Sequence, residues 1–178
     1  MFAPPTIETR HFTIALDPGT GAICGLRHKK TGRDWASARQ PLALFAVVDI
    51  RFSWFGKAAN RMPEALWLTF QPAVSDPQGW LLDKSDGAVS PFDVVTGGNR
   101  AMHAVLGGLR YQGPEGALRI ETLDAPVLAL GERMPVNFTR NQPDLAKGLH
   151  FCLFNNGWGT NYVQWFGEDM RFRFRISV

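Results

Sequence analysis

Proline and glycine break this chain at short intervals, and between the breaks apolar and polar residues alternate. Twelve prolines and eighteen glycines are spread along it. A helix needs about a dozen residues of sustained 3.6-residue periodicity with caps at both ends. No stretch offers that for more than three turns. Period-two runs of roughly four to eight residues between turn residues instead mark strands joined by tight turns. The last run is the clearest case. Phe172, Phe174 and Ile176 fall on one face and Arg171, Arg173 and Arg175 on the other.

The same reading predicts a strand over His11–Leu16, a turn at Asp17-Pro-Gly-Thr-Gly21 and a second strand over Ala22–Arg27, which together form a hairpin. Leu42–Phe55 reads as one bent strand or two, and Ala65–Gln71 and Trp80–Lys84 as one each. Asp83 and Asp86, around Lys84-Ser85, read as turn residues. Val105–Gln112 and Ala117–Leu123 flank Gly113-Pro-Glu-Gly116, a second hairpin. Leu149–Phe154 and Met170–Val178 complete the set. The expected fold is all-β: an N-terminal arm over residues 1–9, then a single antiparallel β-sandwich domain over 10–178.

Composition closes several alternatives. With 178 residues, 45% of them hydrophobic and 21 of them aromatic, the chain can build a core and is not a disordered sequence. The longest unbroken apolar run, Leu42–Val48, is far short of the roughly 20 residues of a membrane-spanning helix. Met-Phe-Ala-Pro-Pro-Thr at the start lacks a leader pattern, so the expectation is either a cytoplasmic chain or a piece whose signal lay upstream, with no membrane partner. Net charge is only +3. The densest basic stretch, Arg27, His28, Lys29, Lys30 and Arg33, surrounds the turn signal Thr31-Gly32 and reads as a solvated hairpin tip. A nucleic-acid footprint would need a longer basic face with exposed aromatics. Cys24 and Cys152 read as buried free thiols, with a single long-range disulfide as the alternative.

Chemistry-bearing motifs are sparse. His11, His28, His103 and His150 are scattered without metal-ligand spacing, so no metal site is expected. Gly19-Thr-Gly-Ala-Ile-Cys-Gly25 has the wrong spacing for a dinucleotide loop and leads into a strand. Glu168 and Asp169 are adjacent, so in a strand they face opposite ways and cannot form a glycosidase carboxylate pair by themselves. No catalytic residue is assigned. Two segments carry more polar side chains than packing requires. Ser90–His103 contains Asn99, Arg100 and His103, and Phe151–Trp165 contains Asn155, Asn156, Trp158, Thr160 and Asn161. Amides that both donate and accept, beside a flat indole, suit sugar hydroxyls and C–H faces. The same residues also suit complex turns. Arg61 and Glu64 read as a charged pair at a strand entrance.

Phe12-Thr-Ile-Ala-Leu-Asp-Pro-Gly-Thr-Gly-Ala-Ile-Cys-Gly-Leu-Arg-His-Lys-Lys-Thr-Gly-Arg-Asp-Trp35 resembles the opening hairpin of the β-sandwich that follows the catalytic domain in glycoside hydrolase family 38, the α-mannosidases. Arg61–Phe70, Ser90–His103 and Leu149–Phe174 resemble segments of a less characterised, bacterial-type family-38-like group. The resemblance runs over nearly the whole chain, and Asn-Asn-Gly-Trp-Gly-Thr-Asn is its most specific part. It implies a galactose-mutarotase-like supersandwich. It also implies a catalytic α/β barrel as partner, in cis or in trans, holding the zinc and the nucleophile, so no cofactor is expected in this chain. The eight polar and aromatic candidates, Asn99, Arg100, His103, Asn155, Asn156, Trp158, Thr160 and Asn161, would then contact carbohydrate or barrel. Two other readings stand beside it: an assembly module without sugar binding, and a mutarotase-like enzyme using His103 or His150 with Glu168 or Asp169.

Overall fold

The structure is a computed structural model and describes residues 5–18, 23–37, 47–114, 116–135, 138–157 and 162–177. The fold is all-β, with antiparallel sheets and two single-turn 3-10 helices, Pro77–Gly79 and Leu145–Lys147. The chain divides into two compact units, Met1–Ala46 and Val47–Val178.

The first unit is a three-stranded sheet of β1 (Thr6–Glu8), β2 (Phe12–Leu16) and β3 (Ile23–His28), in that order. The predicted hairpin is present. Ile14 pairs with Leu26 and Phe12 with His28, with a bulge between Ala15 and Leu16. The basic tip closes as a tight turn: Gly32, at φ 68°, donates to the His28 carbonyl at 2.8 Å. An L-residue with a side chain is strained at that angle, which explains a glycine there. Lys29 bridges to Glu8 at 2.6 Å.

The second unit contains β4 (Val47–Lys57), β5 (Ala65–Phe70), β6 (Trp80–Lys84), β7 (Gly87–Val89), β8 (Met102–Ala104), β9 (Gly108–Gly113), β10 (Gly116–Thr122), β11 (Val127–Leu130), β12 (Leu149–Asn155) and β13 (Glu168–Ser177). One sheet runs β4-β13-β10-β9-β6-β7 and the other β5-β12-β11-β8. Alternation sends Trp80, Leu82, Leu109, Ile120, Phe172 and Phe174 inward from the first sheet. Leu128, Leu130, Leu149, Phe151 and Leu153 meet them from the second, in one core. Phe174 lies 5.6 Å from Phe70 and 5.1 Å from Phe151, ring to ring, so the sheets face each other sandwich-fashion. Full burial of each such side chain contributes about 1.5–3 kcal/mol.

Several sequence expectations need correction. Asp83 is not a turn residue. It lies in β6, almost buried, where Arg110 (2.9 Å) and Arg119 (3.3 Å) bracket its carboxylate. Leu42–Phe55 yields one strand that starts at Val47, and 42–46 lie outside the described residues. Cys152 is buried but Cys24 only half-buried, and both are free thiols. Strands β1, β7, β8 and β11 were not anticipated. The first three have only three residues each, and β11 is an unalternating apolar run.

Candidate functional site

The polar candidates fall into two groups, carried at opposite ends of the four-stranded sheet. Asn99 and Arg100 lead into Ala101, whose carbonyl accepts the Leu130 N–H at 2.8 Å, and His103 pairs with Leu128. Leu130 pairs with Leu149 at the start of β12, whereas Asn155 ends that strand six residues later. At about 3.3 Å per residue Asn155 lies roughly 20 Å along the strand from the level of Ala101 and roughly 13 Å from that of His103. One small ligand cannot touch both. Trp158, Thr160 and Asn161 lie outside the described residues.

In the first group Arg100 works as a strut. Its guanidinium donates to the Phe92 carbonyl (3.0 Å), the Val94 carbonyl (3.4 Å) and Gln142 Oε1 (2.9 Å). Its acceptors are thus two backbone carbonyls and one side-chain amide. Asn99 Oδ1 accepts from the backbone N–H of Ala101 (3.0 Å) and of Thr139 (3.3 Å). These bonds hold segment 139–142 against strand-leading residues 99–101. Between that segment and Leu130 lies an open cleft of about 370 Å3. Glu132, Thr139, Asn141, Gln142, Asp144 and Lys147 supply its polar wall. Carboxylate, hydroxyl, amide and ammonium groups together can both donate to and accept from a polyhydroxylated ligand. Among these residues, Thr139-Arg-Asn-Gln142 before Pro143 forms a polar stretch between two apolar strands that carries no motif to mark it as a site.

His103 is half-buried, with Nε2 3.2 Å from the Arg100 carbonyl. Burial, aided by nearby Lys84, holds its pKa below the ordinary imidazole value. His150 is buried on β12, with Nδ1 2.8 Å from Thr69 Oγ1, and burial lowers its pKa as well. Among the described residues neither histidine is hydrogen-bonded or ion-paired to Glu168 or Asp169, which open β13 in the other sheet. Asp169 accepts the Gly56 N–H at 2.7 Å, and Glu168 sits opposite Lys57 with φ 93°. A side-chain-bearing residue in that region costs about 1–3 kcal/mol.

The second group is a latch followed by an apolar surface. Asn156 is buried. Its Oδ1 accepts the Glu64 N–H (2.5 Å) and its Nδ2 donates to the carbonyls of Asn60 (2.9 Å) and Met62 (3.1 Å). Asn155 Nδ2 approaches Cys152 Sγ at 3.7 Å, while its Oδ1 is buried without a partner among the described residues. Arg61 and Glu64 do not pair with each other. Arg61 stacks over Trp165 at 4.6 Å, and Glu64 bridges to Lys57 at 2.5 Å. Beyond the latch, Tyr162, Val163, Trp165 and Phe166 are exposed, as is Met62. Tyr162 is 83% and Val163 71% accessible. Side chains of that kind grouped on one surface mark an interaction site more often than isolated ones do.

No family model matches the chain, and neither does a curated protein or a solved structure. Among the described residues no group of three or more His, Cys, Asp or Glu could hold a metal ion, and no helix is long and apolar enough to cross a membrane.

Proposed function

We propose that this chain is a non-catalytic, galactose-mutarotase-like β-sandwich of a family-38-like glycosidase. It packs on a catalytic barrel that is not part of this chain and contributes to carbohydrate binding. The observation that carries this reading is the exposure of Tyr162, Val163, Trp165 and Phe166, directly after the Asn155–Asn161 segment that bears the most specific resemblance. An interface core of aromatic and aliphatic side chains with arginine at its edge has this composition, and Arg61 over Trp165 supplies the arginine. The polar cleft beside Arg100 supports the carbohydrate part. Zinc and the nucleophile would belong to the barrel, so no step of the hydrolysis is assigned to residues here.

The test joins the chain to a barrel encoded upstream of Met1 or in a neighbouring reading frame, and follows cleavage of a p-nitrophenyl α-mannoside. Activity is expected only when both parts are present. Trp165→Ala should lower it tenfold or more, with the sandwich still folded. A barrel fully active without the sandwich, or no barrel in either position, overturns the proposal. The assembly reading rests on the same exposed side chains but requires no carbohydrate contact. It gains ground if Trp165→Ala abolishes association while Asn141→Ala leaves the KM for mannoside unchanged.

A further inference from the structure

The first unit carries a depression of a different chemical character. It is wide open to solvent, has a volume of about 750 Å3 and is lined by Phe12, Leu26, His28, Thr31, Arg33 and Trp35. That volume lies within the range of small-ligand sites. Three rings line it. Phe12 and His28 are 5.1 Å apart at 60°, and Trp35, 53% exposed, carries the Arg33 guanidinium 4.1 Å from its ring centroid. His28 Nδ1 accepts the Thr31 N–H at 3.3 Å and lies 2.9 Å from Thr31 Oγ1, so the Nε2 edge of the ring is the one that Thr31 leaves clear.

The charges at the edge are one-sided. Among the described residues no carboxylate lines the depression, whereas Glu132 and Asp144 line the cleft of the second unit. Glu8, an acid of the same sheet, is already bridged to Lys29. The unit's described residues carry five arginines and lysines against three carboxylates. Aromatic faces beside one guanidinium, with no acidic group among the described lining residues, favour a ligand with an apolar ring face and a negative charge.

We propose that this depression binds a hexuronate, a sugar carrying a carboxylate. The C–H face of the ring lies against Trp35 and Phe12, and the carboxylate accepts from Arg33 and His28 Nε2. The inference deepens the carbohydrate reading above and rests on it, but at a separate set of residues.

The test is NMR titration of the full chain with methyl β-D-glucuronide and methyl β-D-glucoside, reading the Trp35 indole N–H, assigned through Trp35→Phe. The glucuronide should move that resonance and bind about tenfold more tightly than the glucoside, a difference that a charge-assisted hydrogen bond supplies. Arg33→Gln, at an exposed position, should abolish the preference while strand amide shifts stay in place. Three outcomes overturn the inference: no movement with either glycoside, equal affinity for both, or a preference that survives Arg33→Gln. A silent Trp35 together with a Trp165→Ala loss of mannosidase activity would refute this site and leave the accessory-domain reading standing.

Discussion

Asn156 uses both ends of its amide inside the protein, closing segment 60–64 against the end of β12. Replacing it with alanine leaves two carbonyls and an N–H without their partner, at about 1–3 kcal/mol for such a loss. Asn156→Asp should be worse, because a carboxylate oxygen then faces the carbonyls of Asn60 and Met62. Urea unfolding should show both midpoints lowered in that order. The sequence singles out Asn156 as an amide for carbohydrate or barrel contact, and in the fold both ends of that amide meet backbone. An amide that can hold a hydroxyl can equally hold backbone, and only the fold shows which one it meets. Arg100 repeats the lesson: its guanidinium is committed to loop carbonyls, yet by fixing Gln142 it shapes the wall of the cleft.

At the scale of elements, what the sequence revealed depended on where each strand lies. β13 and the β9–β10 hairpin have one core-facing and one charged face, so alternation exposes them. β11 is interior to the four-stranded sheet and Leu128, Ala129 and Leu130 are fully buried, so no alternation exists to detect. The position predicts a contrast. Leu128→Ala, in the shared core, should cost about 2–5 kcal/mol. Leu66→Ala, on edge strand β5 and 38% exposed, should cost under about 1 kcal/mol. Denaturant midpoints of the two variants test this directly. Asp83 escaped detection for a related reason. Aspartate between Leu82 and Lys84 resembles the start of a turn until Arg110 and Arg119 arrive from strands β9 and β10, some 27 and 36 residues away.

For the whole molecule, acid should act in two steps. His103 and His150 have folded pKa values lowered by burial, so the unfolded chain takes up their protons first. Their contribution is complete above about 6.5, the unfolded value, and declines as pH falls from there towards the folded values. Glu8, Asp49 and Asp124 are held low by Lys29, Arg175 and Arg173. Their contribution persists above the unfolded carboxylate range near 4 and fades as pH drops through the folded values. Thermal midpoints between pH 8 and pH 3 should show both declines, and His103→Asn with His150→Gln should flatten the first alone. The two-unit division supplies a further handle. Cys24 sits in β3 of one unit and Cys152 in β12 of the other, and the latter is buried with its thiol pKa pushed up. Each unit therefore contains a single chemical clock. The rate at which each sulfur is alkylated during brief opening times that unit separately, and peptide mass then tells which one yields first.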